Sequence, residues 1–226
     1  MIIAIDGPAG SGKSTTAQEA ARQLGFLHLD SGALYRAFAL AACQLDWSDP
    51  NGEVDRAHIG ELAAQDVGGE VVDRTIVALL DGRRLGDEIR TPRVTACASK
   101  VSAYPQIRER VNEVLRSLAA EYPAGIVCEG RDMGTVVFPG AELKIFMVAA
   151  PEERARRRLL QRGEEVSPES VRAESAELVA RDTQDSQRRA SPLRKAENAL
   201  VIDTTRLSFE EQVERIVVAA RLLDTG

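Results

Sequence analysis

Ile2-Ile3-Ala4-Ile5-Asp6-Gly7-Pro8-Ala9-Gly10-Ser11-Gly12-Lys13-Ser14-Thr15 joins an apolar run to a glycine-rich loop and the start of a helical pattern. The apolar run Ile2 to Ile5 predicts a buried strand, and the periodicity that opens at Lys13 predicts a helix to Leu24. Between them, Gly7 to Ser14 fit the pattern G-x-x-x-x-G-K-[ST]. Glycines permit backbone conformations that a Cβ forbids, so successive N–H groups can turn inward around an anion. The helix N-terminus adds unpaired donors and the positive end of its dipole. Lys13 supplies a mobile cation for β- and γ-phosphates, and the Ser14 hydroxyl is a Mg²⁺ ligand of the right hardness. Strand, loop and helix in that order predict an ATP-binding P-loop made of Gly7, Pro8, Ala9, Gly10, Ser11, Gly12, Lys13, Ser14 and Thr15.

Outward from this loop, apolar runs alternate with helical periodicity, which points to an α/β fold with a parallel sheet. The five expected core strands are Ile2 to Ile5, Phe26 to Leu29, Gly125 to Cys128, Leu143 to Val148 and Ala199 to Ile202. Helices are expected from Lys13 to Leu24, Ala33 to Ala42, Arg93 to Ser102, Ile107 to Glu121, Glu152 to Arg162 and Pro168 to Arg189. A last one follows Ser208-Phe209-Glu210-Glu211, which reads as a capping box. Residues 46–90 break the alternation. Asp49-Pro50-Asn51-Gly52 and Gly68-Gly69 read as turns, and β-prone Thr75 to Leu80 runs into the hairpin dipeptide Asp81-Gly82. The chain is therefore read as a core domain of residues 1–45 and 91–226 with a small, partly β insertion at 46–90.

Composition narrows the partners. A chain of 226 residues can bury one substantial core. A net charge of −6 and only 4% aromatics disfavour a nucleic-acid binder, and no apolar run is long enough to span a membrane. No leader precedes the first strand, so a soluble, cytoplasmic protein is expected. Cys43, Cys97 and Cys128 lie far apart without metal-ligand spacing and read as reduced core thiols. No uninterrupted apolar stripe calls for a partner, so a monomer is expected. The P-loop alone leaves GTP switches, motors and transporters open, although the guanine-reading N-K-x-D pattern is absent. Glu129, closing the strand Ile126-Val127-Cys128, is either a Mg²⁺ partner through water or a local turn residue.

Arg154, Arg158 and Arg162 recur at i, i+4 and i+8, and Arg181, Asp185 and Arg188 at i, i+4 and i+7 on the next helix. Phosphoryl transfer needs positive charge around the γ-phosphate and exclusion of water, which an arginine-bearing helical lid at about residues 154–189 would supply. Three further segments join polar residues to glycines. They are Asp30 to Arg36, Gly86 to Thr91 and Glu129 to Thr135. Arg36, Arg108 and Arg131 have the fork that binds an acceptor phosphate, and Asp132 can accept from the exocyclic amine of a base.

Taken together, these segments resemble the bacterial cytidylate kinases, in the nucleoside monophosphate kinase group. The resemblance runs through IDGPAGSGKST at Ile5 to Thr15, LDSGALYR at Leu29 to Arg36 and GDEIRT at Gly86 to Thr91. It continues through EGRDMGTVVFP at Glu129 to Pro139, KIFMVAAPEERARRR from Lys144 and the run from Arg181 to Leu193. It implies a P-loop kinase fold with a five-stranded parallel sheet, a lid and a CMP-binding insertion. It also implies ATP-dependent phosphorylation of CMP and dCMP with Mg²⁺. By motif, Ser31, Ser99, Arg108 and Asp132 would meet the cytosine, with Tyr35 beside them in the same motif. Arg36 and Arg131 would meet the acceptor phosphate, Asp185 the ribose and Arg188 the acceptor. Lys13, Arg158, Arg162 and Arg181 would attend the ATP phosphates. The segment DTQDSQ between Arg181 and Arg188 carries fewer basic residues than expected, and Glu129 stands where Asp also occurs. The rival expectations are a kinase for UMP or another small acceptor, and a nucleotide-binding regulator that hydrolyses ATP slowly.

Overall fold

The computed structural model describes residues 1–224. Their contacts divide the chain into two compact units, Met1–Phe26 with Gly125–Gly226, and Leu27–Ala124.

The first unit is a parallel α/β layer. Strand β1 (Ile2–Asp6) lies between β6 (Ile126–Gly130) and β7 (Leu143–Val148), and β8 (Leu200–Asp203) pairs with β7. Every pairing here is parallel, with registers such as Ala4↔Cys128, Ile5↔Ile145 and Met147↔Ile202. The central strands β1 and β6 are buried on both faces and read as continuous apolar runs, whereas β7 alternates and β8 buries only Ile202. Helix α1 (Lys13–Leu24) puts Ala17, Ala20 and Ala21 against Ile3, Ile5 and Val127. Small side chains on that face let the helix approach the sheet closely. Helix α8 (Phe209–Asp224) adds Val213, Ile216, Val217 and Ala220 to the same core. Its expected capping box is present: Glu211 N–H donates to Ser208 Oγ at 3.2 Å, and Ser208 N–H to Glu211 Oε2 at 2.7 Å.

Helices α6 (Pro151–Arg162) and α7 (Pro168–Gln187) form a hairpin in this unit. Gly163, in the left-handed conformation, ends α6, and a reciprocal Ser167–Ser170 capping box opens α7. The hairpin has its own small core of Ala155, Leu159, Val171 and Leu178, into which Ala9 of the P-loop is seated. Helix α7 stops at Gln187, two residues before the expected end. The Arg188 backbone is extended there and its Nε donates to Ser191 O at 2.6 Å.

The second unit holds β2 (Leu27–Asp30), α2 (Ser31–Gln44), α3 (Ile59–Ala63), β3 (Val67–Val72), β4 (Thr75–Leu80), β5 (Arg83–Arg84), α4 (Pro92–Val101) and α5 (Pro105–Ala120). The segment 46–90 lies within it. The hairpin read at Asp81-Gly82 joins β4 to β5, with both turn residues at positive φ. Gly68-Gly69, read as a turn, sits instead inside β3, paired with β4 along its whole length. Packing decides this: a Cβ on Gly69 would come within 2.6 Å of Ile76. The turn between β3 and β4 is Asp73-Arg74, where both residues take positive φ without a glycine, so nothing in its composition announces it. The helix expected from Ala33 begins two residues earlier, at Ser31, so most of segment 30–36 is the start of α2. Asp30 caps that helix, accepting from Gly32 N–H at 2.8 Å.

Candidate active site

The loop between β1 and α1 takes the backbone geometry that its glycine spacing predicts. Gly7 has φ 153°, and a Cβ there would stand 2.1 Å from Met147 O on β7. Only glycine lets the loop leave β1 so close to its neighbour. Gly12, at φ 89°, is the N-cap of α1 and brings no side-chain cap. The first-turn N–H groups therefore keep their hydrogen-bonding capacity for an anion. Lys13 is 5% exposed, and its Nζ donates to Pro8 O at 2.8 Å, across the loop. Burial, together with the Arg131 guanidinium, draws the Lys13 ammonium well below the ordinary lysine range, against the pull of Glu129, Asp6 and Asp185. An arriving polyphosphate would favour its charged form. Ser14 and Thr15 are exposed, and Thr15 Oγ1 donates to Gly12 O.

The arginines predicted to act together divide. Arg154 is buried, and its Nη1 donates to Ala9 O at 2.9 Å and to Asp182 of α7. Asp182 also accepts from Ala9 N–H at 3.3 Å. This pair ties the helical hairpin to the phosphate loop, and Arg154 is a structural member of the row. Arg158 and Arg162 converge on one carboxylate, Glu174 of α7. Glu174 is 5% exposed, and Arg162 shares Glu164 as a second partner. Arg181 sits half-buried on α7, near enough to Asp185 to lower its carboxyl.

At the end of β6 stands a second charged group. Arg131 Nε donates to Asp185 Oδ2 at 2.8 Å, and Arg188 lies 3.6 Å from Asp185 Oδ1. Burial opposes ionisation of Asp185, but Arg131, with Arg188 and Arg181, holds its carboxyl below the usual carboxylate range. Asp132 is 1% exposed and opens a π-helical turn, Met133–Val137. Glu129 is buried at the end of β6.

In the second unit Ser31 and Tyr35 are buried on the first turns of α2. Arg108 of α5 lies over the Tyr35 ring, 5.3 Å from its centroid, and donates from Nη1 to Ser102 O at 2.9 Å. Ser99 is half-buried on α4, and its carbonyl accepts from Ser102 Oγ. Arg36 lies 3.9 Å from Asp30. Ser31, Tyr35, Arg36, Ser99 and Arg108 thus belong to one unit, and Lys13, Arg131, Asp132, Asp185 and the α6–α7 arginines to the other. Sequence reasoning passed over Asp6, Glu174 and Asp182, isolated carboxylates whose partners are distant in sequence.

Comparison with known families shows which one the chain belongs to. The family model for cytidylate kinase matches residues 3–222. The chain belongs to that family. It is 45% identical over 222 residues to a cytidylate kinase of Carboxydothermus hydrogenoformans, covering 96% of both chains. It is 42% identical over 219 residues to one of Streptomyces coelicolor, covering 96% of this chain and 91% of that one. Among solved structures, an uncharacterized protein from Eubacterium ventriosum superposes with a TM-score of 0.53 at 11% identity over 100% of this chain and 99% of that one, a likeness of fold. The chain is accordingly an enzyme, a CMP kinase, with an α/β P-loop architecture. Among the described residues no helix is long and apolar enough to cross a membrane.

Proposed function

We propose that the enzyme transfers the γ-phosphoryl group of ATP to CMP and dCMP, giving ADP with CDP or dCDP. The observation that carries this reading is the uncapped N-terminus of α1 with buried Lys13 laid across the loop, in a chain of the cytidylate kinase family. Gly7 to Thr15 cradle the donor phosphates, and Lys13 neutralises charge as it spreads over the γ-phosphoryl oxygens. Arg158, Arg162 and Arg181, released from their carboxylates, add to that charge from the α6–α7 lid, residues 154–189. Arg131 binds acceptor phosphate, Arg188 lies beside the acceptor, Asp185 takes the ribose hydroxyls, and Asp132 accepts from the cytosine amine. From the second unit, Ser31, Tyr35, Ser99 and Arg108 serve the base and Arg36 the phosphate. The acceptor oxygen is ionised near neutral pH, so the transfer is in line and needs no general base.

The residues present fit Mg²⁺. The exposed Ser14 hydroxyl offers one hard oxygen, and among the described residues no group of three or more His, Cys, Asp or Glu forms a cage for a metal. That suits an ion that keeps water and takes most of its remaining ligands from the nucleotide. When bound beside Ser14, Mg²⁺ would supply charge neutralisation to the donor phosphates. Cysteines that form no disulfide suit a reducing, cytoplasmic setting, and we take the working form to be a monomer.

The test is ADP release from ATP and Mg²⁺ with CMP, dCMP, UMP, AMP or no acceptor. Release that depends on CMP and dCMP and is weak with the rest is expected. Equal turnover of UMP would remove the base selectivity, and release without acceptor would favour a hydrolase.

A further inference from the structure

Asp6 closes β1, one residue before the phosphate loop, and is 3% exposed. Its two carboxylate oxygens are used separately: Oδ1 accepts from Met133 N–H and Oδ2 from Gly134 N–H, each at 2.8 Å. These are the first two residues after Asp132. They open the π-helical turn, in which Asp132 O accepts from Val136 N–H at 2.9 Å and Val137 N–H at 3.2 Å. The opening amides of any helical turn lack partners within it. A single hydroxyl or amide cap would satisfy one, whereas a carboxylate satisfies both. The fit is close on the far side too. A Cβ on Gly134 would press Lys144 Cγ and Cδ at 3.3 Å and Asp6 Oδ2 at 3.4 Å. Of the neighbouring charges, Lys13 attracts Asp6 and Asp132 repels it. Burying an anion beside another anion is costly, and the two amide bonds to Met133 and Gly134 offset that cost. The structure that results holds Asp132 from its C-terminal side, while β6 holds it from its N-terminal side through Asp6↔Gly130.

We infer that Asp6 is a positioning residue for base selection: its two-oxygen grip on Met133 and Gly134 sets the direction of Asp132 toward the acceptor base. The inference rests on the assignment of Asp132 to the cytosine amine. Asp6 touches neither reacting phosphate in this role, so its loss acts on the acceptor base more than on the donor.

The experiment measures kcat and KM for CMP, UMP and ATP in Asp6→Asn, Asp132→Asn, the double variant and Gly134→Ala, with unfolding curves for each. Asparagine keeps the shape but offers one acceptor and turns an N–H toward a donor. Loss of one charge-assisted bond of this kind translates to about tenfold or more. Asp6→Asn should therefore lower the CMP-to-UMP ratio of kcat/KM by about tenfold, through KM for CMP, with a much smaller change in KM for ATP. In the double variant the second substitution should add little to the loss of that ratio, because both act through one group. Gly134→Ala, which crowds the same grip, should move the ratio in the same direction and decides the matter if Asp6→Asn does not fold. A ratio within about twofold of the native one in folded Asp6→Asn, while Asp132→Asn lowers it, would overturn the inference and leave the Asp132 assignment standing. An unchanged ratio in Asp132→Asn would overturn the assignment itself, and the inference with it.

Discussion

At the scale of single residues, Asp6 shows how a site can cost the fold something. Burial raises its carboxyl from 3.8 to about 6, although the amides of Gly134 and Met133 pull the other way. A group held more tightly protonated in the native state than in the unfolded chain makes stability rise as pH falls through that window. Between about pH 6 and 4 the native enzyme keeps a proton that the unfolded chain has released. Above pH 6 the ionised, buried Asp6 costs on the order of 3 kcal/mol relative to an ordinary carboxyl. Asp6→Asn has no proton to exchange. The Tm difference, native minus Asp6→Asn, should thus shift in the native enzyme's favour as pH drops from 7.5 to 5. A difference independent of pH would show that Asp6 titrates alike in both states.

The element that carries most of the expected charge chemistry is the α6–α7 hairpin, and its arginines rest on carboxylates. Glu174 holds Arg158 at 3.2 Å and also binds Arg162, joining the two helices above the small core of Leu159, Val171 and Leu178. One buried carboxylate serving two guanidiniums is a tie whose removal leaves charge without its partner. Glu174→Ala should cost about 1–3 kcal/mol, read as a lower Tm and as faster protease cleavage in the connection 163–167. If both stay as in the native enzyme, the apolar contacts alone hold the hairpin. Arg154 behaves differently on the same helix face. With Asp182 it fastens the P-loop from Ala9, so the periodicity i, i+4, i+8 spans a structural arginine and two that face a buried acid.

For the whole molecule, nucleotide binding should feed directly into stability, because the cradle exists only when β1, α1 and β7 are in register. A ligand that binds the native state alone adds about 2.7 kcal/mol at a hundred times its Kd, which for a chain of 226 residues corresponds to roughly 5–10 °C in Tm. ATP should produce a shift of this order in the native enzyme, and Lys13→Ala should lose most of it while its ligand-free Tm remains close to native. A full shift in Lys13→Ala would place the phosphate-binding energy in the backbone amides alone.

The local sequence determined the cradle, the core strands and most helices, because each rests on short-range chemistry. Gly7 and Gly12 meet backbone conformations closed to other residues, Ser208 and Glu211 cap each other three positions apart, and Asp81-Gly82 fits a tight turn without help from its surroundings. Long-range packing decided the rest. Gly68-Gly69 became strand because β4 pairs with it, and Asp73-Arg74 became the turn because the two strands leave no other place for one. The partners of Asp6, Glu174 and Asp182 are tens to more than a hundred residues distant or on the facing helix, so no local pattern marks them. A hydrogen bond between distant residues exists only once the strands and helices that carry them are packed, and it is in those bonds that Asp132 and the arginines receive their positions.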